Sequence, residues 1–392
     1  MNRRPAGALF AASTLFFAAL YTYVPALPAY VAARTVSLTA VGVVLSMYGL
    51  WMAVLRIPLG VVTDATGRTK FYLVAGVLMA GVGAVVMMLG RSPLPLALGR
   101  AVTGLSAAAW VPLMVVFAGF FPPERAVFAT SLASFASSFG QMIGTSSTGF
   151  LEALGGDALP FLCAAGLAIS AAAIIMVVHI PRRDPSHRGM VSAQSILSIF
   201  ARRDVLVPSF TNALCQFGVW AITFGFMPLL ARQDGASAVV VSLLLTVNIG
   251  ANVAANLFAT FAAGRAGWKL LYGSFAMFAA GALLAALARP ISLLFVSTVL
   301  MGLANGLFFP ILLGLSIQRV DAFHRSTAMG IHQAVYAVGM FTGPWIGGVL
   351  SDAMGIRAMF AVVAAFSLVM PSLLMQAWKG TLQTAGAQSR AR

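Results

Sequence analysis

The sequence predicts an all-α membrane protein: twelve transmembrane helices arranged as two pseudo-symmetric six-helix bundles. Three observations carry that expectation. Of 392 residues, 60% are hydrophobic and 8% charged, outside the range of soluble globular chains. Apolar runs of about 20 residues, the length needed to cross a bilayer, recur about twelve times with short polar joints between them. Glycines and prolines of the first half return in the second at an offset of about 200 residues, the mark of a duplicated bundle whose halves are related by an axis along the membrane normal.

The first span is read at 7–30. Arg3 and Arg4 ahead of an apolar run resemble a signal peptide, but the run continues to Tyr30, so it is read as an uncleaved span. Tyr21 and Tyr23 precede Pro25 and Pro28, so this helix should loosen toward its outer end. Spans two and three, 38–62 and 70–90, flank a short polar segment from Gly60 to Lys70. Span four, 94–119, follows Pro93 and Pro95 and carries Arg100, the only base this reading places inside the hydrocarbon. Span five, 126–150, puts Ser134, Ser138 and Gln141 on one face and then carries Gly140, Gly144 and Gly149, small residues at spacings that suit close helix packing. Span six is 158–180.

Hydropathy collapses between Pro181 and Asp204, which divides the chain into a bundle at 1–180, a linker at 181–204 and a bundle with a short tail at 205–392. Within the linker, Ala193, Ile196, Leu197 and Phe200 fall at helical spacing and predict a short helix lying on the inner leaflet. The remaining spans are 205–231, 238–263, 268–288, 291–317, 326–350 and 356–378. Across the halves, Pro28 returns as Pro228, Gly67 as Gly267, Gly104 and Pro112 as Gly302 and Pro310, and Arg125 as Arg325. Gly140, Gly144 and Gly149 return as Gly339, Gly343 and Gly348.

The formal charge of +15 does not point to nucleic acid, because the bases are distributed by membrane side. With an inside amino terminus, the inner side receives Arg3, Arg4, Arg56, Arg68, Lys70, Arg125, Arg182, Arg183, Arg188, Arg202, Arg203, Arg265, Lys269, Arg319, Arg325, Lys379, Arg390 and Arg392. The outer side receives only Arg34, Arg91, Arg232, Arg289 and Arg357. This positive-inside bias predicts a multi-pass protein of the cytoplasmic membrane with both termini in the cytoplasm. Cys163 and Cys215 lie in separate spans and suggest no disulfide framework; no cofactor or metal cluster is expected.

The segment Gly60-Val-Val-Thr-Asp64-Ala-Thr-Gly67-Arg68-Thr-Lys70 joins spans two and three. Gly60 permits close helix contact, Gly67 supplies a turn with positive φ, and Arg68 and Lys70 anchor the loop to the cytoplasmic surface. The spacing Gly-x-x-x-Asp-x-x-Gly-Arg-x-Lys resembles the signature loop of the major facilitator superfamily. Ala65, Thr66 and Thr69 stand where the family usually has basic or aromatic residues, which thins the charge network. Leu96-x-x-x-Arg100-x-x-x-Gly104 is similar to the family's second motif, with Thr103 in place of the usual polar residue. In span eleven, Gly330, Gly339, Gly343, Pro344, Gly347 and Gly348 resemble the glycine-proline motif that exporters of the family carry in span five, where this chain has Thr145. The resemblance implies alternating access by rocking of two halves about a midplane site, with Gly60, Asp64, Gly67, Arg68 and Lys70 as a gating loop and the span-eleven residues as packing and gating elements. Asp64 is expected to face the start of span eleven, near Ser326 and Thr327, where the helix dipole is positive.

Polar side chains inside spans face a cavity or a partner. Asn248, Asn252 and Asn256 form a stripe on span eight; Asn212, Gln216 and Trp220 do so on span seven; His332, Gln333 and Tyr336 cluster on span eleven. With Tyr23, Arg100, Gln141 and Asn305 they are the candidate lining, concentrated in the second half. Each amide reads equally as glue between helices. Arg100 reads either as a residue that snorkels or bonds a neighbouring helix, or as a fixed positive charge in the cavity. No Asp or Glu sits inside a span, which counts against lipophilic cations as cargo. His332 reads as a proton-sensitive group or as a structural histidine.

An enzyme would need an acid dyad, a metal cluster or a nucleophile with its base, and none is assembled; no P-loop appears. The expected function is a secondary active transporter of a small organic solute, working as a monomer in the bilayer, with efflux as the first direction, protons as a candidate coupling ion, and no nucleic-acid partner. Uptake of an anionic or neutral metabolite is the alternative, and a non-transporting receptor fits least.

Overall fold

A computed structural model describes residues 3–122, 125–180, 193–321 and 324–390. Among them every regular element is helical. The order is α1 (Arg3–Tyr21), α2 (Leu27–Ala32), α3 (Leu38–Thr66), α4 (Thr69–Leu89), α5 (Pro93–Ala108), α6 (Trp110–Ala118), α7 (Ala126–Gly155), α8 (Ala158–Val177) and α9 (Ala193–Phe200). It continues with α10 (Arg203–Ala221), a π-turn at Ile222–Phe226, α11 (Met227–Gln233), α12 (Ala238–Leu287), α13 (Ile291–Ile317), α14 (Arg325–Met354) and α15 (Ile356–Arg390).

Ten helical stretches among the described residues are long and apolar enough to cross a membrane. The two expected spans outside that set are α1, whose apolar helix Pro5–Tyr21 is shorter, and α7. The hydropathy of α7 is diluted by Thr130, Ser131, Ser134, Ser137, Ser138 and the run Thr145–Thr148. The first helix does break near its prolines: α1 stops at Tyr21, a turn covers 22–26, and α2 restarts with Pro28 in its first turn. At the repeat-related place α10 loosens into the π-turn before α11, which again has a proline in its first turn, Pro228.

Where sequence predicts a joint at 263–268, helix runs on through α12. This 50-residue element is not straight. The position of Gly281 meets Ser297, whereas Gly302, five residues further along α13, meets Asn248. A straight helix would separate Asn248 from Gly281 by about 50 Å, so α12 folds back between its apolar stretches Ala238–Ala259 and Gly267–Leu287. Helix α9 leaves Leu197 and Phe200 exposed, while Ile199 packs with Val205, Val320, Ala328 and Ile331. Residues 181–192 lie outside the described residues, as do the side chains of Ala193 and Ile196.

Close packing repeats with the sequence. A side chain on Gly140 would strike the backbone of Thr14, and one on Gly339 the backbone of Ala213. Gly144 meets Ala18, as Gly343 meets Phe217; Gly149 meets Ala238, as Gly348 meets Leu38; Gly104 meets Tyr48, as Gly302 meets Asn248. In each case a Cβ would lie under 3.0 Å from a carbonyl oxygen, so only glycine allows the approach. Lipid offers no hydrophobic drive between helices, and association there rests on backbone contact of this kind. Large apolar side chains such as Phe71, Val177, Leu257 and Leu287 stay exposed around the outside.

Candidate functional site

The two halves meet along α3 with α14 and along α7 with α12, and these seams close one end of the bundle. Gly42 and Gly49 sit against the backbones of Pro344 and Met340, and Gly348 against Leu38 and Thr39. Because Pro344 has no N–H, it leaves the backbone of α14 looser at that crossing. Asp352, at the end of α14, then caps the start of α3: its carboxylate accepts from Ser37 Oγ, Leu38 N and Thr39 N, each at 2.8 Å. A carboxylate at a helix N-terminus is favoured by the free N–H groups and the dipole. Its repeat-related counterpart, Glu152 at the end of α7, pairs with Arg232 of α11.

At the other end the same two helices part. Among the described residues Gly60 and Gly330 have no atom within 4 Å of where a Cβ would stand, so neither the close contact expected of Gly60 nor the packing expected of Gly330 is seen there. Gly347 makes only ordinary van der Waals contact. In the polar loop Gly67 has φ 61° and ends α3, its N–H bonding Thr63 O. Lys70 Nζ donates to Met176 O at 2.6 Å, near the end of α8, while Arg68 is exposed. The side chains of Asp64 and Ser326 lie outside the described residues, so the expected gate contact has no described geometry.

Between these ends lies a set of buried polar side chains. Gly104 lets α5 rest on the backbone of Tyr48, and Arg100, one turn earlier on the same face, is carried over the Tyr48 ring. The guanidinium carbon is 4.3 Å from the ring centroid. Arg100 is 3% exposed and does not snorkel. Its Nε and Nη1 make no hydrogen bond of normal geometry; the Tyr23 hydroxyl, also outside that geometry, lies within interaction range of Arg100 and Thr103, and Thr223 Oγ1 has no partner. Tyr48 stacks across the seam on Trp220 at 5.4 Å, and Trp220 leads to Phe224 and Tyr21.

A second buried base sits one level away. Arg56, assigned from sequence to the inner surface, is 6% exposed in α3 and donates to the Tyr336 hydroxyl at 3.0 Å. Arg100 is therefore not the only base inside a span. The signal was available: Ile57, Pro58, Leu59, Val61 and Val62 continue the apolar run past Arg56, so the base lies about three turns inside the helix end.

The second-half candidates are largely satisfied by one another. His332 is fully buried, with Nδ1 3.0 Å from Ser209 Oγ and Nε2 2.9 Å from Asn212 Nδ2. Gln216 Nε2 donates to Asn305 Oδ1, and Asn248 Nδ2 to Thr298 O. Asn252, Asn256, Gln141 and Gln333 are half-buried, and Gln333 Oε1 lacks a partner. Among the described residues no cluster of His, Cys, Asp and Glu could hold a metal ion, and Cys163 and Cys215 are free thiols.

Every acid with a described side chain lies at a helix end or in a loop. Glu152 pairs with Arg232, Asp204 with Arg202, Asp234 with Arg357 and Asp321 with His324. The interior therefore holds two guanidinium groups and no described carboxylate. Burying such a charge costs several kcal/mol unless something compensates it.

The chain matches the Major Facilitator Superfamily over residues 9–265 and 209–389. It is 22% identical, over 84% of its length and 86% of the relative's, to an uncharacterized MFS-type transporter of Methanocaldococcus jannaschii. Among solved structures it is similar to the nucleoside transporter NupG, with TM-score 0.80, 14% identity and coverage of 97% of this chain and 100% of the other. A bacterial homolog of the human lysosomal transporter Spinster, in an inward-facing and occupied conformation, gives TM-score 0.79, 16% identity and coverage of 95% and 96%. The human organic anion transporter MFSD10 gives TM-score 0.67, 17% identity and coverage of 95% and 99%. At these identities the structures speak for the fold, and the family match for descent. The protein belongs to the major facilitator superfamily, and its helices form a major facilitator transporter fold.

Proposed function

We propose that this protein is a secondary active transporter that carries a small organic anion, or a neutral solute rich in acceptors, across the cytoplasmic membrane by alternating access. The single observation that carries the substrate class is Arg100: a guanidinium 3% exposed, with two donors unpartnered and no described carboxylate in the spans. A unit anion about 4 Å from it would gain about 4 kcal/mol at an effective dielectric near 20, and a cation would lose as much. The duplicated glycine contacts support two six-helix halves that rock as units, with 1–180 and 205–392 as the bodies and the linker between them. The distribution of bases supports cytoplasmic termini. In that orientation the seam closed by Asp352 and Glu152 faces outward and the parted ends of α3 and α14 face the cytoplasm. Export is the first direction because the sequence resembles the efflux branch of the family more than its sugar porters, uptake of an anionic or neutral metabolite is the alternative, and a monomer is the working unit.

Uptake into proteoliposomes, with and without a pH gradient, tests this reading. Transport of anionic or neutral solutes is expected, and its response to the gradient shows whether protons are coupled. A protein that moves only quaternary ammonium compounds would contradict it.

A further inference from the structure

Arg56 has no assigned task, yet it is as much an uncompensated charge as Arg100. Tyr48, Met52 and Arg56 follow one another every four residues on one face of α3, a rise of about 12 Å. Tyr48 lies under Arg100 at one end of this ladder, and Arg56 stands at the other. Arg56 Nη1 donates to the Tyr336 hydroxyl at 3.0 Å, Nη2 reaches Met52 Sδ at 3.7 Å, and Nε is buried with no partner. A neutral phenol satisfies one donor and leaves the charge unanswered.

The place of this contact matters as much as its chemistry. Tyr336 belongs to α14, in the opposite half of the chain. Toward the sealed end α3 and α14 touch backbone to backbone at Gly49 and Met340; toward the other end, the Cβ positions of Gly60 and Gly330 meet no atom of the described residues within 4 Å. The Arg56–Tyr336 bond thus lies between the parted helix ends and Arg100.

We propose that Arg56 is a second anion-binding station, reached from the open end before Arg100, at which the Tyr336 hydroxyl holds the place of the solute's anionic group. The arriving group displaces the phenol, occupies the free Nε and Nη1 donors of Arg56, and passes along the Met52 and Tyr48 face to Arg100. Displacing Tyr336 also removes a tie between the halves, so loading the station loosens the seam that must rearrange. This inference rests on the proposed anion transport through Arg100 and adds a second residue that selects for charge.

The test uses crystals of the full chain soaked in sodium iodide, with the anomalous signal of iodide as the probe. Two interior sites are expected, one on the free donors of Arg100 and one on Arg56 with the Tyr336 ring turned away. Tyr336→Phe removes the competing hydroxyl, so iodide should fill the Arg56 site at about tenfold lower concentration. Arg56→Gln should lose that site and keep the one at Arg100. Iodide at Arg100 but not at Arg56, in both the unaltered protein and Tyr336→Phe, would overturn the station and make Arg56 a tie between the halves. Iodide at neither arginine would overturn the anion reading of Arg100 as well.

Discussion

The two halves of this protein share a backbone and differ in what they bury. Gly104 rests on Tyr48 in the first half and Gly302 on Asn248 in the second, so the same helix crossing is built twice. At the first crossing a guanidinium lies over a ring with two donors unpartnered; at the second, an amide donates to the carbonyl of Thr298. Asn212, Gln216, Asn305 and His332 likewise bond to neighbours in their own half. Duplicated packing therefore does not imply duplicated chemistry. Polar groups of the second half bond mostly to one another, though Asn212 Oδ1 and Gln333 Oε1 lack partners, whereas the first half buries a guanidinium over a ring.

The largest effects should come from the shared packing and be equal in the two halves. Gly140→Ala and Gly339→Ala each push a Cβ onto a backbone carbonyl of the adjoining helix. Overpacking of this kind costs about 1 to 3 kcal/mol and more where backbone cannot yield. Both variants should lower the melting temperature of the purified protein and abolish uptake. Gly330→Ala, with open space at the same helix, should be neutral or stabilising by about 0.5 to 1 kcal/mol. A harmless Gly140→Ala beside a damaging Gly339→Ala would break the symmetry claim.

Next is the charge of the first half. Arg100→Gln should lower uptake of anionic solutes by about a hundredfold or more, from the loss of several kcal/mol, while neutral solutes keep most of their rate. Arg100→Lys keeps the charge without the planar fork and should fall between. Equal loss of every solute in both variants would make Arg100 structural.

The second half should answer differently. His332→Gln removes a buried ring bonded to Ser209 and Asn212 and should cost about 1 to 3 kcal/mol of stability. Because both nitrogens already have neutral partners, the pH profile of uptake should keep its shape. Flattening between about pH 5 and 8 would return the histidine to proton coupling.

Smaller still is the sealed end. Asp352→Asn keeps the shape of the cap but loses its charge at the start of α3, costing about 0.5 to 2 kcal/mol. Spin labels across that end should report a larger open population, and an unchanged distance distribution would show the cap to be incidental. Smallest is Asp321, whose carboxyl is held below the usual carboxylate range by the hydrogen bond to His324. Its lowered pKa contributes stability that is present above the ordinary carboxylate range and lost as pH falls through the lowered value. Asp321→Asn should melt slightly earlier than the unaltered protein at neutral pH, and the gap should close in acid.

Much of the fold was legible because lipid imposes long apolar runs and because the glycine spacings recur. The offset that links Gly140 to Gly339 also links their packing partners, Thr14 and Ala213. The site was legible only in part. Arg100 stood out as a base within an apolar run, whereas Arg56 was assigned to the surface because it lies near a helix end. Sequence spacing placed the asparagines and His332 on helix faces without showing that Asn212 pairs with His332, Gln216 with Asn305 and Asn248 with the carbonyl of Thr298, since those bonds join residues about 50 to 120 positions apart. Gly60 and Gly330 read as packing residues from type alone, but contact depends on which end of the seam is closed, and that is a property of the conformational state.

Selection of an anion by the buried charge of the first half can be measured on the purified protein. It is tested most directly by the thermal stabilisation of the purified protein by matched carboxylates and their primary amides, with quaternary ammonium compounds alongside, repeated on Arg100→Gln. Stabilisation by carboxylates over the corresponding amides, none by the ammonium compounds, and loss of the carboxylate preference in the variant are expected. Preferential stabilisation by a quaternary ammonium compound, or a carboxylate preference that survives Arg100→Gln, would contradict it.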